Sequence, residues 1–382
     1  MRLPPLSDEL KQQAIEAYEK AGGNKAQAAR DLGIPVATFK DRYKAATLHK
    51  SVARLELFIP DGQKLRGVSS LYKVDTTTGE KTEVMQWVKT NEDLDRQIEI
   101  IRNAAEALKA DIPKEPPQAF TGQSQSDLLS LYILTDYHIG QMSWVGETGE
   151  DWNTDKSCTF LVDWFSKAIA AAPPSEVGVL CQLGDFLHFD GLEAVTPTSK
   201  HVLDADTRYA NVVGAAIKAI RRIVSMMLTK HEKVHIIMAE GNHDLASSVW
   251  LRALFATLYE NEPRITVDNS HLPYYAYEWG ATSLFFHHGH KKKMEQVSGM
   301  FTGMYREMFG RTKYSYAHMG HYHHIASKED GNMVIRQHRT MAVKDAHSAR
   351  GGYLSDRSAS VITYSQRFGH VGEITITPEM VQ

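Results

Sequence analysis

From residue 128 onward the chain alternates short apolar runs with longer amphipathic stretches. "LLSLYILT" (128–135), "VGVLCQLG" (177–184) and "KVHIIMAEG" (233–241) have the length and β-branched content of buried strands. "CTFLVDWFSKAIAAA" (158–172), "NVVGAAIKAIRRIVSMMLTK" (211–230) and "VWLRALFATLYE" (249–260) carry their apolar residues at helical spacing. "ITVDN", "YYAYEWG" and "ATSLFFHHG" follow as strands, and the tail reads as largely strand. Strand–helix alternation followed by a series of strands predicts a layered α/β domain with two packed sheets over 128–382.

The first 50 residues have a different rhythm. Ser7 or Asp8 is placed to cap a first helix, which Gly22-Gly23 ends. Asn24 caps "KAQAARDLG", Gly33 turns the chain, and Pro35 opens "PVATFKDRYKAA". Small Ala28 and Ala29 let the helices approach, while Leu32, Ile34 and Phe39 fill the space between them. Helix, short glycine turn and helix is the helix-turn-helix pattern. From Asn24 to Lys50 stand six Lys/Arg (25, 30, 40, 42, 44, 50) and two Asp (31, 41), a local balance of +4. Lys25, Arg30, Thr38, Lys40, Arg42 and Lys44 are therefore candidate DNA contacts, since clustered positive charge is the footprint of phosphate binding. A three-helix protein-interaction module is the other reading. Residues 51–110 predict a wing-like β-hairpin and a connecting helix. The Pro- and polar-rich stretch 111–127 predicts a linker.

Composition narrows the picture. The 382 residues exceed one ordinary core, and a net charge of −3 gives no global field toward nucleic acid, so such binding must be local. Two cysteines make no disulfide framework, which with the absence of an apolar leader at the start points to a cytoplasmic setting. No run approaches the roughly 18 apolar residues of a membrane span.

Five polar knots carry the candidate chemistry: "TDYHIG" (135–140), "GDFLHFDG" (184–191), "AEGNHD" (239–244), "FFHHGH" (285–290) and "MGHYHH" (319–324). Most follow an apolar run, and in layered α/β folds ligands gather at the carboxyl ends of strands. Asp136, His138, Asp185, Asn242, His288, His321 and His323 would then meet at one edge. Carboxylate, imidazole and amide oxygen together suit two divalent first-row ions better than Mg²⁺ or Ca²⁺.

D-x-H, G-D-x-x-H, G-N-H-D, H-G-H and G-H-x-H in this order resembles the signature of calcineurin-like metallophosphoesterases, across about residues 128–340. The resemblance implies a two-sheet αββα metallophosphoesterase sandwich, here preceded by a small helical helix-turn-helix module. It implies Asp136, His138, Asp185 and His323 as ligands of one metal. Asp185, Asn242, His288 and His321 are implied for the other, with Asp185 bridging. Two Mn²⁺ ions are the expectation, with Fe²⁺, Zn²⁺ or Ni²⁺ as alternatives. His243 matches the non-ligand histidine that protonates or stabilises the transferring phosphate. His188 matches the nuclease branch, the SbcD-like DNA repair exonucleases, where many family phosphatases carry Asp or Asn. The N-terminal segment resembles helix-turn-helix segments of bacterial and phage proteins.

The expected function is a metal-dependent DNA phosphodiesterase, an exonuclease or structure-selective nuclease held to DNA by its N-terminal module, catalysis resting on His243 and His188. The alternatives are a small-molecule phosphoesterase or protein phosphatase, and a DNA-binding regulator with a vestigial catalytic domain. The expected partner is DNA, with a homodimer and a separate ATPase as further partners, because the chain carries no P-loop. Gly351-Gly352 suggests a flexible loop over the site. Trp144, Trp152 and Tyr322 beside the knots read as base-stacking or core residues, and Lys291–Lys293 as phosphate contacts or a solvated run.

Overall fold

The computed structural model describes residues 7–52, 63–74, 81–92, 119–120 and 122–381, in two units that divide at residues 103 and 104.

The first unit opens with three helices, α1 (Asp8–Lys20), α2 (Lys25–Asp31) and α3 (Val36–Val52). Ser7 caps α1, and the Asn24 side chain accepts from the Ala26 and Gln27 amides, which start α2. Gly33 turns at φ +64° between α2 and α3, and Ala28, Ala29 and Phe39 are fully buried at the helix junction with Leu32 and Ile34 against them. Strands β1 (Gln63–Val74) and β2 (Lys81–Glu92) pair antiparallel, with irregularities near Gly67 and Tyr72. The strand expected from "ARLELFI" lies outside the described residues. So do most of the linker and the connecting helix, except that Asn91 and Glu92, expected to open that helix, instead end β2.

In the second unit, a six-stranded sheet has the order β13-β12-β3-β4-β5-β6. Its members are β3 (Gln125–Leu134), β4 (Ser175–Gln182), β5 (Lys233–Met238), β6 (Ile265–Val267), β12 (Ala359–Ser365) and β13 (Gly369–Ile376). β3 to β6 run parallel. The short helix α4 (Val145–Thr148) precedes α5 (Thr154–Ala171), and α6 (Tyr209–Lys230) and α7 (Leu245–Leu258) follow. α5, α6 and α7 cover the outer face, where Tyr132, Leu134, Leu180 and Ile236 meet Phe165, Ile217, Ile220 and Phe255. The second sheet, order β10-β11-β9-β8-β7, contains β7 (Tyr275–Trp279), β8 (Thr282–Phe286), β9 (Tyr314–Met319), β10 (Ala326–Asp330) and β11 (Met333–Gln337). Leu129, Leu131 and Ile133 of β3 pack between the sheets with Leu284, Phe286 and Tyr364. The period-2 alternation of a strand thus serves two different cores.

The layering is αββα. Its fourth layer includes α8 (Met294–Met304), followed by α9 (Arg306–Arg311), and the short helix α10 (Ala346–Arg350) lies further along the chain. The tail is therefore less purely strand than its sequence pattern predicts. α8 forms because Val297 and Phe301, one helical turn apart, cover Phe285, Ala317, Met333 and Ile335 on the outer face of the second sheet. Strand β3 also begins earlier than the expected end of the linker, since Gln125 pairs with Ser175. Among the described residues no helix is long and apolar enough to cross a membrane.

Candidate metal centre

All five knots follow strands. Asp136 and His138 come after β3, Asp185 after β4, Asn242 and His243 after β5, His288 after β8, and His321 and His323 after β9. Two sheets stacked with these strand ends on the same side bring residues nearly 190 positions apart together. His323 Nε2 lies 3.1 Å from Asp136 Oδ1. Donor atoms of Asp136, Asp185, His288 and His321 lie within 4.8 Å of one another, as do those of Asp136, His138 and His323. The third such group is His138, His188 and His243. The Asn242 amide oxygen joins them, 3.3 Å from His288 Nε2. Asp136 is the carboxylate common to the first two groups, and Asp185 stands 3.1 Å from His288 Nε2.

Backbone geometry is bent to this end. Asp136, His138, Asp185, His321 and His323 all have φ between 51° and 74°, a region L-residues avoid at a cost of about 1–2 kcal/mol each. Lys200 and Asn332 are the other non-glycine residues in that region among those described. Two glycines make room where the loops touch. A Cβ on Gly241 would stand 2.1 Å from Asp185 Oδ1, and one on Gly320 would overlap Thr135 Oγ1.

The loops are also hydrogen-bonded to each other. The Asp244 carboxylate accepts from the amides of Asp185, Phe186, Leu187 and Gly241, at 2.7–3.2 Å, and ties the loop after β4 to the loop after β5. Asp136 Oδ2 accepts from Thr135 Oγ1 and the His321 amide. His288 Nδ1 donates to the Leu183 carbonyl, which aims Nε2 at the carboxylates.

The donor set calls for positive charge. Asp136 and Asp185 are buried, and their ion-pair partners among the described residues are histidines. Burial works to raise both carboxyls. The His323 and His288 charges outweigh it at Asp136, as do those of His288 and His243 at Asp185, and both are held below the usual range. Burial would lower His288, yet the Asp185 and Asp136 charges raise it to about 10. Burial and the Asp185 charge push Asp244 up to about 7. Burial holds His321 down at about 4, so its imidazole is neutral and available as a ligand, and its Nδ1 is buried without a hydrogen-bond partner. Cations seated among these oxygens and imidazoles relieve the same imbalance, so the residues present fit two divalent ions.

His243 lines the cavity above the cluster. Its Nδ1 donates to the His188 carbonyl at 2.8 Å, which leaves Nε2 as the free atom. His188 itself is 1% exposed and does not line that cavity. Its Nδ1 sits 3.3 Å from His138 Nδ1, its ring stacks on His243, and burial pushes it down to about 3. His287, the neighbour of His288, is spent on the Pro273 carbonyl and the Lys292 amide. Of the candidate DNA contacts in the first unit, Lys25, Arg30, Lys40 and Lys44 are exposed and Thr38 and Arg42 half-buried. Lys25 stands over the Tyr43 ring and Arg30 bonds Gln27.

The cavity holds about 500 Å³. Its far wall is a strap after β11, residues 340–357, whose part in the site had only Gly351-Gly352 as a sequence signal. Thr340 Oγ1 donates to the Asp136 carbonyl, Gln141 Nε2 to Val343 and Ser143 Oγ to Lys344. Arg357 packs over Trp152 and Phe160 and pairs with Glu150. Trp152 is therefore a core residue, whereas Trp144 is 66% exposed.

No family model and no curated protein sequence matches the chain. Solved structures similar to it include a predicted phosphoesterase from Streptococcus pneumoniae TIGR4, with 8% identity, 66% of this chain and 100% of that one covered, and a TM-score of 0.28. A dimetal phosphatase from Danio rerio matches at 9% identity, over 65% of this chain and 98% of that one, with a TM-score of 0.34. An archaeal phosphodiesterase matches at 13% identity, over 65% and 99% respectively, with a TM-score of 0.32.

Proposed function

We propose that this protein is a dinuclear-metal-dependent phosphodiesterase that cleaves DNA and is held to it by its N-terminal unit. The observation that carries the reading is the convergence of five separate motifs on one cluster of buried carboxylates and imidazoles beside an open cavity. Asp136, His138, Asp185 and His323 would hold one ion, and Asp185, Asn242, His288 and His321 the other. When bound, such ions supply Lewis acidity and lower the pKa of an attacking water. Mn²⁺ is the proposed metal.

His243 has the geometry of a proton donor. Its Nδ1 is fixed by the His188 carbonyl, so Nε2 is the atom that meets a phosphoryl or leaving oxygen in the cavity. His188 acts through it as a positioning residue, packed against both His138 and His243. His243→Ala is expected to retain metal and lose at least ~10²-fold in turnover of bis-p-nitrophenyl phosphate. Unchanged turnover by the variant removes His243 from the chemistry.

The DNA reading is supported by the exposed basic residues of the three-helix unit. In the full-length protein, replacing Lys25, Lys40 and Lys44 together by Gln is expected to weaken binding to a DNA duplex. For every phosphate that a lysine no longer neutralises, the slope of log affinity against log salt should fall by about one. Hydrolysis of bis-p-nitrophenyl phosphate should be spared. An unchanged slope means that the three-helix unit does not touch phosphates.

A further inference from the structure

Two tyrosines from different loops line the cavity. Tyr322, between ligands His321 and His323, is 44% exposed, and Tyr353, on the strap, is 61% exposed. Each has an exposed histidine ring beside it, His324 at 6.2 Å and His347 at 6.5 Å between centroids. All four rings line the same cavity whose floor is the donor cluster.

The rings are held in place although they are open to solvent. Tyr322 stands edge-on to His321, 4.8 Å between centroids, so its position follows the ligand loop. The ring of Tyr353 lies so close to Gly351 that a Cβ there would come within 2.7 Å of it. Its amide donates to the Ser348 carbonyl, and Asp345 caps the same turn. The strap is fastened in turn to the Asp136 carbonyl through Thr340. A pre-positioned aromatic rim loses little freedom on binding, which is what a stacking platform needs.

We propose, building on the phosphodiesterase reading, that Tyr353 and Tyr322 grip an unpaired nucleobase adjoining the scissile phosphate. The site therefore takes single-stranded or frayed DNA ends rather than the interior of a duplex. Three considerations select this occupant. On the phosphodiesterase reading the floor takes the phosphate oxygens, so what projects toward the rim is the group attached to the ester. The rim offers ring faces, which pair with another planar ring. The cavity's roughly 500 Å³ is the size of a small-ligand site, with room for a base beside the phosphate. A base inside a duplex has both faces covered by its neighbours and must leave the stack to use such rings. Stacking of this kind is worth about 1–3 kcal/mol per base, or roughly 5- to 150-fold in affinity.

The test is a calorimetric titration of the full-length protein, with Mn²⁺, against thymidine 5′-monophosphate and against 2-deoxyribose 5-phosphate, which lacks the base. The nucleotide should bind the wild type at least ~5-fold more tightly. Tyr353→Ala should bring the ratio below about 2, and Tyr353→Phe, which keeps the ring, should preserve it. In parallel, a single-stranded oligonucleotide should be cleaved faster than a closed dumbbell duplex by the wild type, and Tyr353→Ala should narrow the gap. Equal affinity for the two ligands in the wild type, or a ratio unmoved by Tyr353→Ala, overturns the clamp. Faster cleavage of the closed duplex overturns the preference for unpaired ends. Failure to hydrolyse any diester overturns the phosphodiesterase reading instead, and the binding ratio still decides the clamp.

Discussion

Asp185→Asn is expected to lower metal content from two ions per chain to fewer than one, and turnover by at least about 10³-fold. Its Oδ2 is 3.1 Å from His288 Nε2, and the charges of His288, His243 and His138 act on the carboxylate from around the site. The amide that replaces it has nearly the same shape and still accepts from the His243 N–H, which Asp185 Oδ1 takes at 2.8 Å. The substitution thus removes charge while leaving the loop in place. Elemental analysis after Mn²⁺ loading, paired with bis-p-nitrophenyl phosphate turnover over a Mn²⁺ series, reads both effects. Asp136→Asn is the companion measurement, because Asp136 is the carboxylate shared by two donor groups. Two ions retained by Asp185→Asn would show that Asp185 does not bridge.

Asp244→Ala is expected to cost stability on the order of 3–5 kcal/mol, because several buried amides lose their acceptor together. The carboxylate accepts from four backbone amides, and its side chain is 1% exposed. Each buried N–H left without an acceptor costs about 1–3 kcal/mol, though four neighbours in one loop do not add independently. For a domain of this size the loss amounts to roughly 10 °C in Tm. Two loops would also drift apart, one carrying Asp185 and the other Asn242 and His243, so metal content should fall with stability. Asp244→Asn should be intermediate, since one oxygen remains while the new amide turns donors toward donors. A thermal melt within 2 °C of the wild type would mean that water replaces the carboxylate, and that Asp244 does not organise the site.

These two variants differ in how far the sequence alone foretells them. Asp185 stands out in "GDFLHFDG" because a carboxylate at a strand end, taken with four other knots, has few bland explanations. Asp244 is equally visible in "AEGNHD", yet nothing local says that its partners lie at 185–187. His188 makes the same point from the other side. Its spacing from Asp185 is plain, but its burial behind His138 follows from packing.

What the chain determines by itself is therefore whatever repeats over short range. The apolar runs of β3 and β8, the helical spacing in α6, the Asn24 cap and the positions of the five knots are all set within a few residues. Tertiary structure alone decided which atoms of the knots face inward and at what distance they meet. It placed the strap 340–357 against the cluster, buried Trp152 under Arg357 and left Tyr322 and Tyr353 at the rim. It also made α8 a helix, because the second sheet needed a cover for Phe285 and Ile335. The reason is common to all of them. A side chain's partners across two stacked sheets depend on strand order and register, and these are settled by burying both cores together rather than by any one segment.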